Sequence, residues 1–207
     1  MSLPNAYAPA SSTALPLHVL THAQFAGWRA QQSPALQGWL DAQGFVAAPG
    51  TLALLPGTEG IAGAVIGIGD PQDVYAYAHA PHGLPVGDWQ LATPLDQAAR
   101  ATLQLGWGLG SYRFDRYKKP ARQPARLVLE NGDAEAHDLL AACVRVRDLV
   151  NTPTEHMGPQ QLEDVAREIA KTHGAQVEVI SGDELLAQNF PAIHAVGRAS
   201  HRAPRLI

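Results

Sequence analysis

The chain has 207 residues, 46% of them hydrophobic and 16% charged, enough apolar material for one large or two smaller packed domains and no signature of disorder. Its single cysteine, Cys143, excludes an internal disulfide framework and a multi-cysteine zinc centre and fits a reducing compartment, so the cytoplasm is the expected location. The net charge of −4 disfavours general polyanion binding, and any nucleic-acid role must come from a local patch.

The opening segment MSLPNAYAPASSTALPLHVL has no basic n-region and carries early prolines, so no secretory signal is expected there. Strands are predicted at Leu17–Leu20, Thr51–Leu55, Ala64–Ile68, Trp89–Ala92, Leu127–Glu130, Val177–Ile180 and Pro204–Ile207, all apolar runs of strand length. Helices are predicted at Pro34–Gln43, Pro71–His79, Pro94–Arg116, Ala134–Val150, Pro159–His173 and Gly182–Gln188, several opened by a proline whose missing N–H costs nothing in the first turn. The alternation predicts an α/β fold. We expect a mixed-sheet amino-terminal domain with flanking helices over 1–132, a linker helix over 133–150, and over 151–207 the start of a mostly parallel α/β domain. That second domain ends on a strand without a following turn and reads as cut off. Gly60 to Gly69 is the longest weakly polar stretch, far shorter than the roughly 20 apolar residues of a membrane span.

Three helices carry countable signals. Asp133 is a natural N-cap for a helix whose apolar residues Ala136, Leu139, Leu140, Cys143, Val146 and Val150 form one predicted buried stripe. From Pro159, Leu162, Val165, Ala166, Ile169 and Ala170 share a face, with Lys171 and His173 in the last turn and Gly174 as the stop. Ser181 to Glu184 has the spacing of a capping box for a short helix. Asn151 is expected to end the linker helix in a left-handed conformation, Pro153 forbids its continuation, and Gly158–Pro159 opens the next helix.

Several groupings invite a chemical reading. The pairs His79/His82 and His18/His22 have spacings that metals use, yet Pro81 spoils the first as a helical pair and neither has a third ligand nearby, so no metal is expected on them. The run Gly60–Gly69 fails the pattern G-x-G-x-x-G, because Gly67, Gly69 are followed by Gln72 at the third glycine position, and its glycines do not open a helix. Gly106, Gly108 and Gly110 are read as close helix packing. Arg113, Arg116, Lys118, Lys119, Arg122 and Arg126 hold six of the 15 basic residues, interleaved with Tyr112, Phe114 and Tyr117. Such a run can bind single strands or phosphates, which makes a nucleic-acid-binding module on Arg113–Arg126 the alternative function. Against it, cations at a helix end complement the dipole while the aromatic rings anchor the core.

Three stretches carry a family resemblance: Arg147 to Pro159, Ser111 to Lys119, and Asn189 to Ser200 followed by Ala203 to Ile207. In order and spacing they are similar to the leucyl aminopeptidase (cytosol aminopeptidase) family. The resemblance is specific over 111–207 and general before it. It implies an exopeptidase with two divalent metal ions, manganese or zinc, sharing a bridging water, which releases amino-terminal residues from peptides in a homo-oligomer, a hexamer. It also implies that the metal ligands and the oxyanion-stabilising lysine and arginine follow the strand begun at Pro204. No residue of 1–207 is therefore assigned a catalytic, metal-binding or cofactor-binding role, and the chain alone is expected to be inactive. His156 and His194, inside the matching stretches, are read as packing or interface residues.

Overall fold

The computed structural model describes residues 3–10 and 13–207, and it divides into two compact units, Met1–Arg147 and Asp148–Ile207. The first unit runs β1 (Tyr7–Ala8), β2 (Leu15–Thr21), α1 (His22–Ala30), α2 (Pro34–Ala42), β3 (Leu52–Gly57), β4 (Gly60–Ile68), a 3-10 turn at Val74–Tyr77, α3 (Ala80–Gly83), β5 (Asp88–Leu91), α4 (Gln97–Ser111), β6 (Arg126–Val128) and α5 (Ala134–Asn151). Its sheet has the order β1-β6-β5-β2-β4-β3. All pairs are parallel except the β3–β4 hairpin. The mixed-sheet α/β class with flanking helices expected for the amino-terminal domain is the class observed.

Period-two alternation sorts the strand side chains onto two faces, and both are buried, as a largely parallel sheet requires. Leu17 and Val19 of β2 and Ala64, Ile66 and Ile68 of β4 join Tyr77, Leu84, Leu103 and Trp107 in one core. Leu20 and Val65, pointing the other way, pack with Phe25 of α1 and Leu40 of α2. The glycine-rich run is β4 itself. A Cβ at Gly67 would lie 2.2 Å from the Ala48 carbonyl oxygen, where the 48–51 turn bonds to the strand through Gly67 N–H and Thr51 O at 2.9 Å. In α4, Cβ atoms at Gly106 and Gly110 would lie 2.1 and 2.3 Å from the carbonyl oxygens of Val74 and Ala78, so these glycines bring the helix against backbone, as expected.

The structure corrects several predicted elements. α1 and β1 were not foreseen: β1 has only two residues, and α1 is short and mixed in polarity, although Thr21 and Gln24 form its capping box. The predicted helix Pro71–His79 is a 3-10 turn followed by the four-residue α3, because Pro81 sets φ for a fresh start. Asp133 does cap α5, accepting from Ala136 N–H at 2.8 Å. The α5 stripe is rotated, however: Ala136, Leu140 and Val144 are buried while Leu139, Val146, Val150 and Cys143 are exposed. Asn151 is the last helical residue and is not left-handed; Thr152 closes the turn by bonding Asp148 O through both its N–H and its hydroxyl.

The second unit contains α6 (Pro159–His173), β7 (Ile180–Ser181), α7 (Glu184–Ala187), α8 (Pro191–Gly197) and β8 (Arg205–Leu206). α6 has the predicted bounds and ends on left-handed Gly174 (φ 66°). Of its predicted apolar face, Ala170 is buried and Leu162 is exposed. The strands are shorter than predicted and pair antiparallel, Ile180 with Leu206. No side-chain bond caps α7, so the capping box expected from Ser181 does not form. α8 was missed because Pro191 follows an irregular turn through left-handed Asn189.

Candidate functional site

The basic segment is the strongest chemical candidate of the first unit, and most of its guanidinium groups are engaged within the fold. Arg126 of β6 binds Asp88 of β5 bidentately, at 2.8 and 3.0 Å. Arg122 donates to the carbonyl oxygens of His82 and Leu84, and Arg113 Nε donates to His82 Nε2 at 3.2 Å. Arg116 lies over the Tyr117 ring at 5.7 Å, and Phe114 meets the same ring edge-on. A comb of free cations and stacking faces, which single-strand binding needs, is thereby reduced to Lys118 and Lys119. Nothing observed supports the nucleic-acid reading.

His18 and His22 engage different partners. His18 accepts from Trp28 Nε1 at 3.3 Å, whereas His22 Nδ1 donates to the Val46 carbonyl at 2.7 Å. Among the described residues no three His, Cys, Asp or Glu are grouped to hold a metal ion. His194 faces Asp183 at 3.2 Å, and His156 sits in the turn after Pro153, its N–H bonded to Pro153 O.

Burial holds the imidazoles of His18, His79 and His82 below the ordinary histidine value, and the Arg113 guanidinium depresses His82 further. A histidine depressed in the folded state is protonated first in the unfolded state, so it favours unfolding once the pH drops below the unfolded value of about 6.5. The expected result is a melting temperature that is flat above that pH and falls from there towards pH 5. Melts across this interval check it, and a rise on acidification would contradict it.

In the second unit the buried Glu163 carboxylate accepts from Arg167 at 2.8 Å and from Arg205, which together hold it below the usual carboxylate range. This pair ties α6 to β8. Beside it, Pro159, Leu162, Ile193, Val196, Pro204 and Ile207 line an apolar hollow of about 600 Å³. The ion pair positions a strand beside an otherwise apolar hollow. Sequence reasoning missed Gln104, buried in α4, whose amide exchanges bonds of 2.9 and 2.8 Å with the backbone of Asp133. A lone amide in an otherwise apolar stripe was the signal.

Family comparison places these units. Residues 15–130 match the model of the M17 aminopeptidase N-terminal domain, and residues 144–207 match that of the cytosol aminopeptidase family catalytic domain. The chain belongs to the M17, or cytosol, aminopeptidase family. A probable cytosol aminopeptidase of Corynebacterium efficiens is 28% identical over 196 residues, 86% of this M17 chain and 39% of that relative. One from Streptomyces avermitilis is 34% identical over 134 residues, 56% of this chain and 26% of that relative. The crystal structure of the Coxiella burnetii cytosol aminopeptidase, 32% identical, superposes with a TM-score of 0.83 over 95% of this chain and 44% of its own. The bottromycin maturation enzyme BotP, 23% identical with a TM-score of 0.69 over 94% of this chain and 45% of its own, shares the fold. The M17 chain thus spans about two fifths of the length of the first of these relatives.

Proposed function

We propose that this chain is the amino-terminal part of a two-metal leucyl aminopeptidase that releases amino-terminal residues from peptides. The observation that carries the reading is the order of two family matches along one chain, an M17 amino-terminal domain at 15–130 and a cytosol aminopeptidase catalytic domain at 144–207. We assign 1–132 to the amino-terminal domain, 133–150 to a linker helix and 151–207 to the start of the catalytic domain. The compact units divide between Arg147 and Asp148, inside that helix, which supports its role as the joint.

Manganese or zinc, peptide substrates, a hexameric parent and a cytoplasmic location complete the proposal. BotP has been solved in complex with manganese. Among the described residues no three His, Cys, Asp or Glu are grouped to hold such an ion, and these residues are given no metal-binding or catalytic role in the proposal. No helix among the described residues is long and apolar enough to cross a membrane. The expected result is that purified 1–207 releases no aniline from a leucine anilide with manganese, cobalt or zinc present. Turnover that stays with the protein through repurification would place the chemistry inside these residues and overturn the assignment.

A further inference from the structure

At the carboxyl ends of β5 and β6 the first unit holds a cavity of about 600 Å³, in the size range of small-molecule sites. β5 and β2 lie side by side and parallel, and the chain leaving β2 turns towards β3 and β4 on one side while the chain leaving β5 turns towards β6 on the other. Open α/β sheets take ligands outside the carboxyl ends of their strands where connections diverge in this way, and β5 flanks that divergence. α4 lines the cavity with Gln97 and Arg100, the segment after β6 lines it with Glu130 and Asn131, and the partly buried Leu91 and Leu129 add apolar surface.

The polar groups here are unengaged, unlike the arginines of the 113–126 segment. Arg100 Nε donates to the Leu95 carbonyl at 3.0 Å, which fixes the side chain and leaves its two terminal amino groups without a partner among the described residues. The side chains of Gln97, Glu130 and Asn131 likewise have none there. A guanidinium supplied by a helix and a carboxylate supplied by a strand end, with apolar surface in the same cavity, match a small zwitterion.

We propose that this cavity binds a free α-amino acid with an apolar side chain. Arg100 receives the carboxylate through its terminal amino groups, the bidentate geometry that guanidinium favours. Glu130 receives the ammonium group, Gln97 and Asn131 supply neutral hydrogen bonds, and Leu91 and Leu129 receive the side chain. The cavity lies within the first unit and is independent of peptidase activity, so binding is measured without reference to turnover.

The test is calorimetric titration of 1–207 with leucine, leucinamide, N-acetylleucine and inorganic phosphate. Leucine is expected to bind saturably. Blocking either charged end removes a charged hydrogen bond, so leucinamide and N-acetylleucine are expected to bind about tenfold more weakly or worse. Arg100→Gln and Glu130→Gln, both at exposed positions, are each expected to weaken leucine to a similar degree while the far-ultraviolet spectrum and melting temperature stay at wild-type values. No saturable leucine response overturns the proposal, as does a response that survives either substitution in a folded variant. Phosphate or N-acetylleucine binding as tightly as leucine also overturns it, because the site would then read only an anion.

Discussion

Gly106→Ala is expected to destabilise the first unit by about 3 kcal/mol, the upper end of what overpacking costs. The added methyl would lie 2.1 Å from the Val74 carbonyl oxygen and 3.2 Å from its carbon. Backbone cannot rotate out of the way as a side-chain tip can, so either the 3-10 turn or α4 must shift, and Trp107, Tyr77 and Leu103 share the core they enclose. Against a total stability of roughly 5–15 kcal/mol, this is a large fraction. Gly27 in α1 and Gly38 in α2 provide the contrast, since a Cβ at either meets nothing within 4 Å. There Gly→Ala should stabilise by about 0.5–1 kcal/mol, through helix propensity and a less flexible unfolded chain. Urea melts of the three variants check the pattern, and a Gly106→Ala protein as stable as the parent would refute it.

Leu140→Asp is expected to cost about 4 kcal/mol, because it places a carboxylate at a fully buried position among apolar side chains. Leu140 is 0% exposed, packs with Leu109 and Val144, and has its methyls where a side chain at Gly108 would otherwise stand. One residue earlier, Leu139 is 47% exposed, and Leu139→Asp should change stability by no more than about 0.5 kcal/mol. Denaturation of the pair decides which face of α5 carries the packing. Equal effects would mean that the helix is not held in the orientation described.

That contrast also locates what the sequence could and could not disclose. Leu139 and Leu140 are chemically identical, and the spacing of 136, 139, 140, 143, 146 and 150 is as regular as that of the buried set 136, 140 and 144. Periodicity gives the existence of a stripe but not its angular origin, which Gly108 and Tyr7 on the facing elements decide. Val19, Val65 and Ile66, by contrast, were legible as strand residues because β-branched and aliphatic runs fit a sheet buried on both faces. The 3-10 turn at Val74–Tyr77 was not, since its conformation is set by Asp73 accepting from Tyr75 N–H and by the approach of α4. The basic segment shows the same limit for the site. Its composition is visible, but the acceptors that occupy it, Asp88, His82 and Leu84 O, lie 31 to 40 residues away in the chain. The cavity at the ends of β5 and β6 had no local signature, because Arg100 and Glu130 become neighbours of one space only through the crossover that α4 makes.

The borders of the main sheet bear on how copies of this protein meet one another. One border strand, β1, is two residues long, and the other, β3, slips its register between Leu55 and Pro56, where proline has no N–H to offer. Neither rim is a continuous row of amide donors and carbonyl acceptors of the kind that templates a further strand. Backbone-directed stacking of the first unit into filaments is therefore disfavoured at both ends, and association through it is expected to depend on side chains, which substitutions can tune one residue at a time.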